Sequence, residues 1–165
     1  MGEWEQGFAE LLAGRGAALR AYAYLLTGES AAAADLVQEA LLRVFSRLRV
    51  TTDVPQLEGY VRRAMLNQFI DGRRRAQLWR AKRHLLVDSG VHHDEDHTVA
   101  DEVRQALATL SPRQRACVVL RYYEDLSVLE IAEQLGCAEG TVKRHLADAR
   151  TKLANQLTVP EETMR

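Results

Sequence analysis

The chain has 165 residues, 47% of them hydrophobic and 27% charged, a length suited to one or two small domains and too short for a large catalytic barrel. Its 22 Lys+Arg stand against 23 Asp+Glu, a formal net charge of −1, so total charge announces no nucleic-acid partner and any such signal must be local.

Cys117 and Cys137 are too few for a disulfide framework and fit a reducing compartment. The longest apolar run is the six residues from Ala21 to Leu26, against the roughly 20 that span a bilayer. The opening Met1-Gly2-Glu3-Trp4-Glu5 carries acid where a secretory signal carries base. A soluble cytoplasmic protein without a membrane segment is expected. Pro55, Pro112 and Pro160 are the only prolines, and the stretches between them are rich in Ala, Leu, Arg, Glu and Gln. These are good helix formers, and the period-two runs a sheet needs are missing, so the fold class is all-α.

In chain order, the first helix runs from about Trp4 to Leu26, with Gly14-Arg15-Gly16 as a point of interruption and Gly28 as its C-cap. Ser30 caps the second, from Ala31 to about Leu48. There Leu36, Val37, Ala40, Leu41, Val44, Phe45 and Leu48 form one buried stripe, and Asp35, Gln38, Glu39 and Arg43 take the other face. After a loop holding Thr51, Thr52, Asp53 and Pro55, a third helix runs from about Gln56 toward Arg83. From Glu58 to Arg83 there are eight basic residues against two acids. From Asp88 to Glu102 there are six acids and no Lys or Arg, so the acidic segment hides the basic one from the total. Leu86 to about Val99 lacks an apolar period and reads as a linker between two helical domains.

Beyond the linker, Val103, Leu107 and Leu110 mark a short amphipathic helix. Ser111 with Gln114, and Ser127 with Glu130, are capping boxes that open helices at Pro112 and Val128. Val128 to Leu146 carries a helix-turn-helix pattern. Ile131, Ala132 and Leu135 face inward, Gly136 turns, and a second helix from about Glu139 packs through Val142 and Leu146. Its first turns expose Thr141, Lys143 and Arg144, where a recognition helix meets the major groove, and Arg150 and Lys152 are available for phosphates.

Taken together, Asp35-Leu36-Val37-Gln38-Glu39, the Asn67 to Arg75 segment, Leu110-Ser111-Pro112-Arg113-Gln114-Arg115 and Gly140-Thr141-Val142-Lys143 resemble a bacterial extracytoplasmic-function sigma factor of the sigma-70 family. Tyr24-Leu25-Leu26-Thr27-Gly28 and Leu36-Val37-Gln38-Glu39-Ala40 are most similar to the actinobacterial sigma-E-like sub-group. The resemblance covers about Phe8 to Leu157. It implies a sigma region 2 bundle at residues 1–85, an acidic linker at 86–99, a sigma region 4 helix-turn-helix at 100–158 and a frayed tail at 159–165.

The resemblance also implies roles. Asp35, Gln38 and Glu39 would dock on the β′ clamp helices of core RNA polymerase, with the β flap as a second contact. A carboxylate pair flanking an amide on one helical face suits a partner offering Arg and Lys. Tyr60, Arg62, Arg63, Asn67, Arg73, Arg74 and Arg75 would bind the −10 promoter element, with Phe69 and Trp79 as further aromatic surface and the loop from Arg49 to Gln56 as the pocket for an extruded base. Thr141, Lys143, Arg144, His145, Asp148 and Arg150 would read the −35 element as duplex. His145 and Asp148 depart from the family, which usually carries basic residues there, so Asp148 either pairs with Arg144 or Lys152 or accepts from a cytosine amine. An anti-sigma partner is expected.

Some readings weigh less. His92, His93, Asp94, Glu95, Asp96 and His97 have metal-ligand types but no fixed spacing, so no metal and no cofactor is expected. Both cysteines read as core rather than redox sensors. No nucleophile with its base is present, and no enzymatic role is expected. The rivals are a stand-alone helix-turn-helix regulator, and a decoy that binds polymerase or an anti-sigma factor without promoter activity.

Overall fold

The computed structural model describes residues 2–47, 53–82 and 99–157, with side chains described up to residue 72 and again from 99. The described residues are helical apart from short turns, and the chain divides into two compact units, Met1–Gly72 and Arg73–Arg165.

In the first unit α1 (Glu3–Thr27) packs against α2 (Ser30–Arg47). α1 runs unbroken through Gly14 and Gly16, contrary to the interruption the sequence suggested. Each glycine costs a helix interior about 1 kcal/mol relative to Ala. Burial of Phe8, Leu11, Leu19, Tyr22 and Leu26 along the same helix outweighs that, at roughly 1.5–3 kcal/mol per large side chain. The turn is as expected: Gly28 adopts φ 77°, and its N–H donates to the Tyr24 carbonyl at 2.8 Å. Ser30 is already helical. The Glu29 carbonyl accepts from Ala33 N at 2.9 Å, which puts the cap position at Glu29 instead.

α2 buries Ala33, Leu36, Val37, Ala40 and Val44. Leu41 is half-buried and Phe45 remains 36% exposed, so the stripe is narrower than its spacing implied. Phe45 is nonetheless engaged, with ring centroids 4.3 Å from Trp4 and 5.1 Å, edge-on, from Phe8. α3 (Val54–Lys82) buries Leu57, Val61, Met65, Leu66 and Phe69. It is tied to α1 by Glu58, whose carboxylate accepts from Arg15 Nε and Nη2, both at 2.9 Å, and from Arg62 Nε at 3.0 Å.

The second unit contains α4 (Val99–Ala108), α5 (Pro112–Val118), α6 (Val128–Leu135) and α7 (Glu139–Gln156), with α5 continuing into a π-helical segment over Val119–Tyr123. α7 is the central element, in contact with α4, α5 and α6. Both capping boxes form. Ser111 Oγ accepts from Gln114 N and Ser127 Oγ from Glu130 N, each at 3.2 Å. The reciprocal bonds run from Ser111 N to Gln114 Oε1 at 3.1 Å and from Ser127 N to Glu130 Oε2 at 2.7 Å. Glu130's carboxyl is held below its ordinary range by the backbone and then the side chain of Ser127. In α4 the inward residues are Ala106, Leu107 and, just past its end, Leu110, while Val103 is 40% exposed and does not take the inward place expected of it.

Candidate nucleic-acid interface

A helix that reads DNA must expose polar side chains from its first turns and be held rigidly from behind. α6 and α7 meet both requirements. Ile131 and Ala132 from α6 and Val142, Leu146 and Ala149 from α7 are buried. Gly136 turns between the helices at φ 64°, with the N–H of Gly136 and of Cys137 both directed to the Ala132 carbonyl. Leu135 and Cys137 are half-buried, less inward than their spacing suggested. Cys117 is fully buried and its thiol is pushed up to about 12, first by burial, which suits a packing role over redox chemistry.

At its start α7 has no side-chain cap, because Ala138 holds the N-cap position. The Thr141 amide donates to the Ala138 carbonyl at 3.0 Å, and the amides of Glu139 and Gly140 before it are left for water or for an anion such as a phosphate. Thr141, Lys143, Arg144, Asp148 and Arg150 are exposed, and His145 is half-buried. An open cleft of roughly 530 Å³ is lined by Gln114 of α5 and by Gly140, Thr141, Arg144, His145 and Asp148 of α7.

Charge within this cleft is uneven. The His145 imidazole is held below its usual pKa by burial and then by Arg113, with Asp148 opposing and Arg144 adding to the shift. Asp148 forms no hydrogen bond or ion pair with any described residue, so neither of the helical-spacing pairs open to it, with Arg144 or Lys152, exists. Lys152 Nζ instead donates to Gln114 Oε1 at 2.9 Å, and Arg150 Nε donates to the Tyr122 hydroxyl at 3.1 Å. Both cations expected to be free for phosphates are therefore positioned by neighbours. Gln114 was legible only as a capping residue and Tyr122 carried no signal, because the α5 and α7 contacts that matter join residues 28 and 38 positions apart.

In the first unit Asp35, Gln38 and Glu39 are all exposed on α2, as their spacing required. Beside them Leu42 is 61% exposed, an apolar residue that the sequence had not singled out. On α3, Tyr60, Arg63 and Asn67 are exposed and Phe69 is buried. Arg62 bonds Glu58 and lies with its guanidinium carbon 5.0 Å from the centre of the Tyr22 ring. Glu58's carboxyl is held below its ordinary range, first by the hydrogen bond from Arg15, with burial opposing and Arg62 assisting. The side chains of Arg73, Arg74, Arg75 and Trp79, part of the loop from Arg49 to Gln56, and the linker histidines lie outside the described residues. Among the described residues no helix is long and apolar enough to cross a membrane, and no cluster of three or more His, Cys, Asp or Glu could hold a metal ion.

An all-helical chain of two units, one ending in a tightly packed helix-turn-helix with an uncapped second helix, belongs to the helical DNA-binding proteins of transcription. Comparison with known proteins makes this specific. The family models "Sigma-70 region 2" and "Sigma-70, region 4" match residues 13–78 and 100–153. The RNA polymerase sigma-E factor of Streptomyces avermitilis is 34% identical over 157 residues, covering 91% of this chain and 84% of the relative. The ECF RNA polymerase sigma factor SigL of Mycobacterium tuberculosis is 35% identical over 140 residues, 79% of this chain and 77% of the relative. Among solved structures, the sigma factor RpoE of Bartonella quintana, crystallised with the anti-sigma factor NepR, matches with a TM-score of 0.68 and 26% identity over 93% of this chain and 98% of that one. The chain belongs to the sigma-70 family, among its extracytoplasmic-function members, and is a sigma factor that directs RNA polymerase to promoters.

Proposed function

We propose that the two units divide promoter recognition between them, with domains at residues 1–85 and 100–158 joined by an acidic linker at 86–99. Asp35, Gln38 and Glu39 dock on the β′ clamp helices of core polymerase. Their exposure on one face of α2, with hydrophobic residues sealing the other, supports this. Tyr60, Arg63, Asn67 and the basic run Arg73-Arg74-Arg75 hold the melted −10 element. Arg62, already committed to Glu58 and Tyr22, supports that surface from behind.

Thr141, Lys143, Arg144, His145, Asp148 and Arg150 meet the −35 duplex, and the second unit also contacts the β flap. The observation that carries the reading is the α6–α7 geometry, an uncapped helix start beside exposed Thr141, Lys143 and Arg144. The polymerase performs the chemistry, in the cytoplasm, and the factor itself has no catalytic step. An anti-sigma protein restrains it, by likeness to the Bartonella factor crystallised with NepR.

Run-off transcription with purified core polymerase and a promoter library tests this. Transcripts that depend on the protein and share −35 and −10 motifs are expected. Asp35→Ala combined with Gln38→Ala should abolish core binding and leave intrinsic DNA affinity unchanged. Tight sequence-specific binding to a palindrome without polymerase would instead identify a stand-alone regulator.

A further inference from the structure

The unpaired Asp148 has a consequence for which promoters are chosen. Gly140, Arg144 and Asp148 are four residues apart along α7, so they share one face over about 12 Å of helix. All three line the open cleft beside the helix start. Two cations stand at the spacing that would neutralise the carboxylate. Neither does so, since Lys152 is held on Gln114 Oε1 at 2.9 Å and Arg144 forms no ion pair or hydrogen bond with Asp148.

A carboxylate left free on a DNA-facing helix is repelled by phosphates, and it accepts hydrogen bonds without donating any. Its favourable partners in the major groove are amine donors. Cytosine N4 stands without an acceptor beside it on the same base, whereas adenine N6 is flanked by N7, whose lone pair repels a carboxylate. Arg144, about 6 Å earlier along the helix, suits guanine O6 and N7 at a distance of about two base steps.

We infer that Asp148 is a specificity-determining residue that selects a cytosine in the −35 element, about two steps from a guanine read by Arg144. This rests on the reading of α7 as the −35 recognition helix.

The test is run-off transcription by the holoenzyme, formed from core polymerase and the full chain, on a library randomised across the −35 element with a fixed −10. Wild type is compared with Asp148→Asn and Asp148→Ala, and far-UV circular dichroism confirms that each variant is folded. Wild type should enrich cytosine at one position by roughly tenfold or more. Asp148→Asn should shift that position toward adenine, which Asn matches through N6 and N7, and Asp148→Ala should flatten it, with other positions unchanged.

Identical base preferences in all three proteins would overturn the inference. So would a uniform rise in transcription from every promoter with Asp148→Ala, since the carboxylate would then act only as a brake on phosphate binding. Wild-type transcripts lacking any cytosine preference defeat this inference alone. The absence of wild-type transcripts would defeat the −35 reading of α7 itself, and this inference with it.

Discussion

The two units solve the same problem, fixing helix ends so that polar faces point outward, by different means. In the second unit the chain itself marks the boundaries: Ser111 and Ser127 each close a reciprocal capping box, and Gly136 turns at φ 64°. In the first, contacts between distant residues do much of this work. Phe45 is held by Trp4 and Phe8, and Glu58 receives Arg15 from another helix. Local devices rigidify the helix-turn-helix, proposed to read duplex, where misplacing a side chain by an ångström would forfeit a base contact. Long-range ties suffice for the first unit, whose proposed partner is the broad face of another protein.

Core truncations give the largest effects and test whether both units depend on buried apolar area. Leu19→Ala in α1 and Ile131→Ala in α6, both at fully buried positions, should each cost about 2–5 kcal/mol in urea denaturation followed by circular dichroism. Glycines should then separate the units by sign. Gly136→Ala, at positive φ, is expected to destabilise by about 1–2 kcal/mol. Gly14→Ala, with helical backbone and open space around its Cβ, should stabilise by about 0.5–1 kcal/mol in the same assay.

Removing a cap should cost less than truncating the core. Ser127→Ala is expected to lower stability by about 1 kcal/mol, and a null result would mean that the α6 start is held by packing, as in the first unit. The smallest effect should come from Glu58→Gln, about 0.5 kcal/mol at neutral pH because Arg15 is half exposed and screened. Its signature is in the pH dependence. Glu58's folded pKa is lowered, so its contribution is complete above the unfolded carboxylate value and is lost as pH falls through the folded one. Denaturation midpoints of wild type and Glu58→Gln should therefore converge on acidification.

Features written in consecutive residues were legible without coordinates. The Ser-x-x-Gln and Ser-x-x-Glu boxes, the Gly28 and Gly136 turns and the exposure of Asp35, Gln38 and Glu39 each follow from local spacing. Misreadings arose where packing overrode a local preference. Gly14 and Gly16 stay helical because α1 buries a long face, and Val103 stays 40% exposed although it shares the stripe of Ala106, Leu107 and Leu110. At the candidate interface the residue types were visible, but their pairing was not. Spacing alone offers Lys152 to a phosphate or to Asp148, whereas its Nζ donates to Gln114 Oε1.

Sequence by itself determined the all-helical class, the order of the helices, the helix-turn-helix and the family, since each rests on residues within a few turns of one another. Only the tertiary structure decided how charge is distributed at the proposed recognition surface. It engages Arg150 and Lys152 with Tyr122 and Gln114, and leaves Asp148 unpaired among the described residues. The physical reason is that an ion pair at helical spacing is worth only a few tenths of a kcal/mol. A side chain from another helix that also supplies packing can outcompete it, and no rule confined to one helix foresees which cation will be taken away.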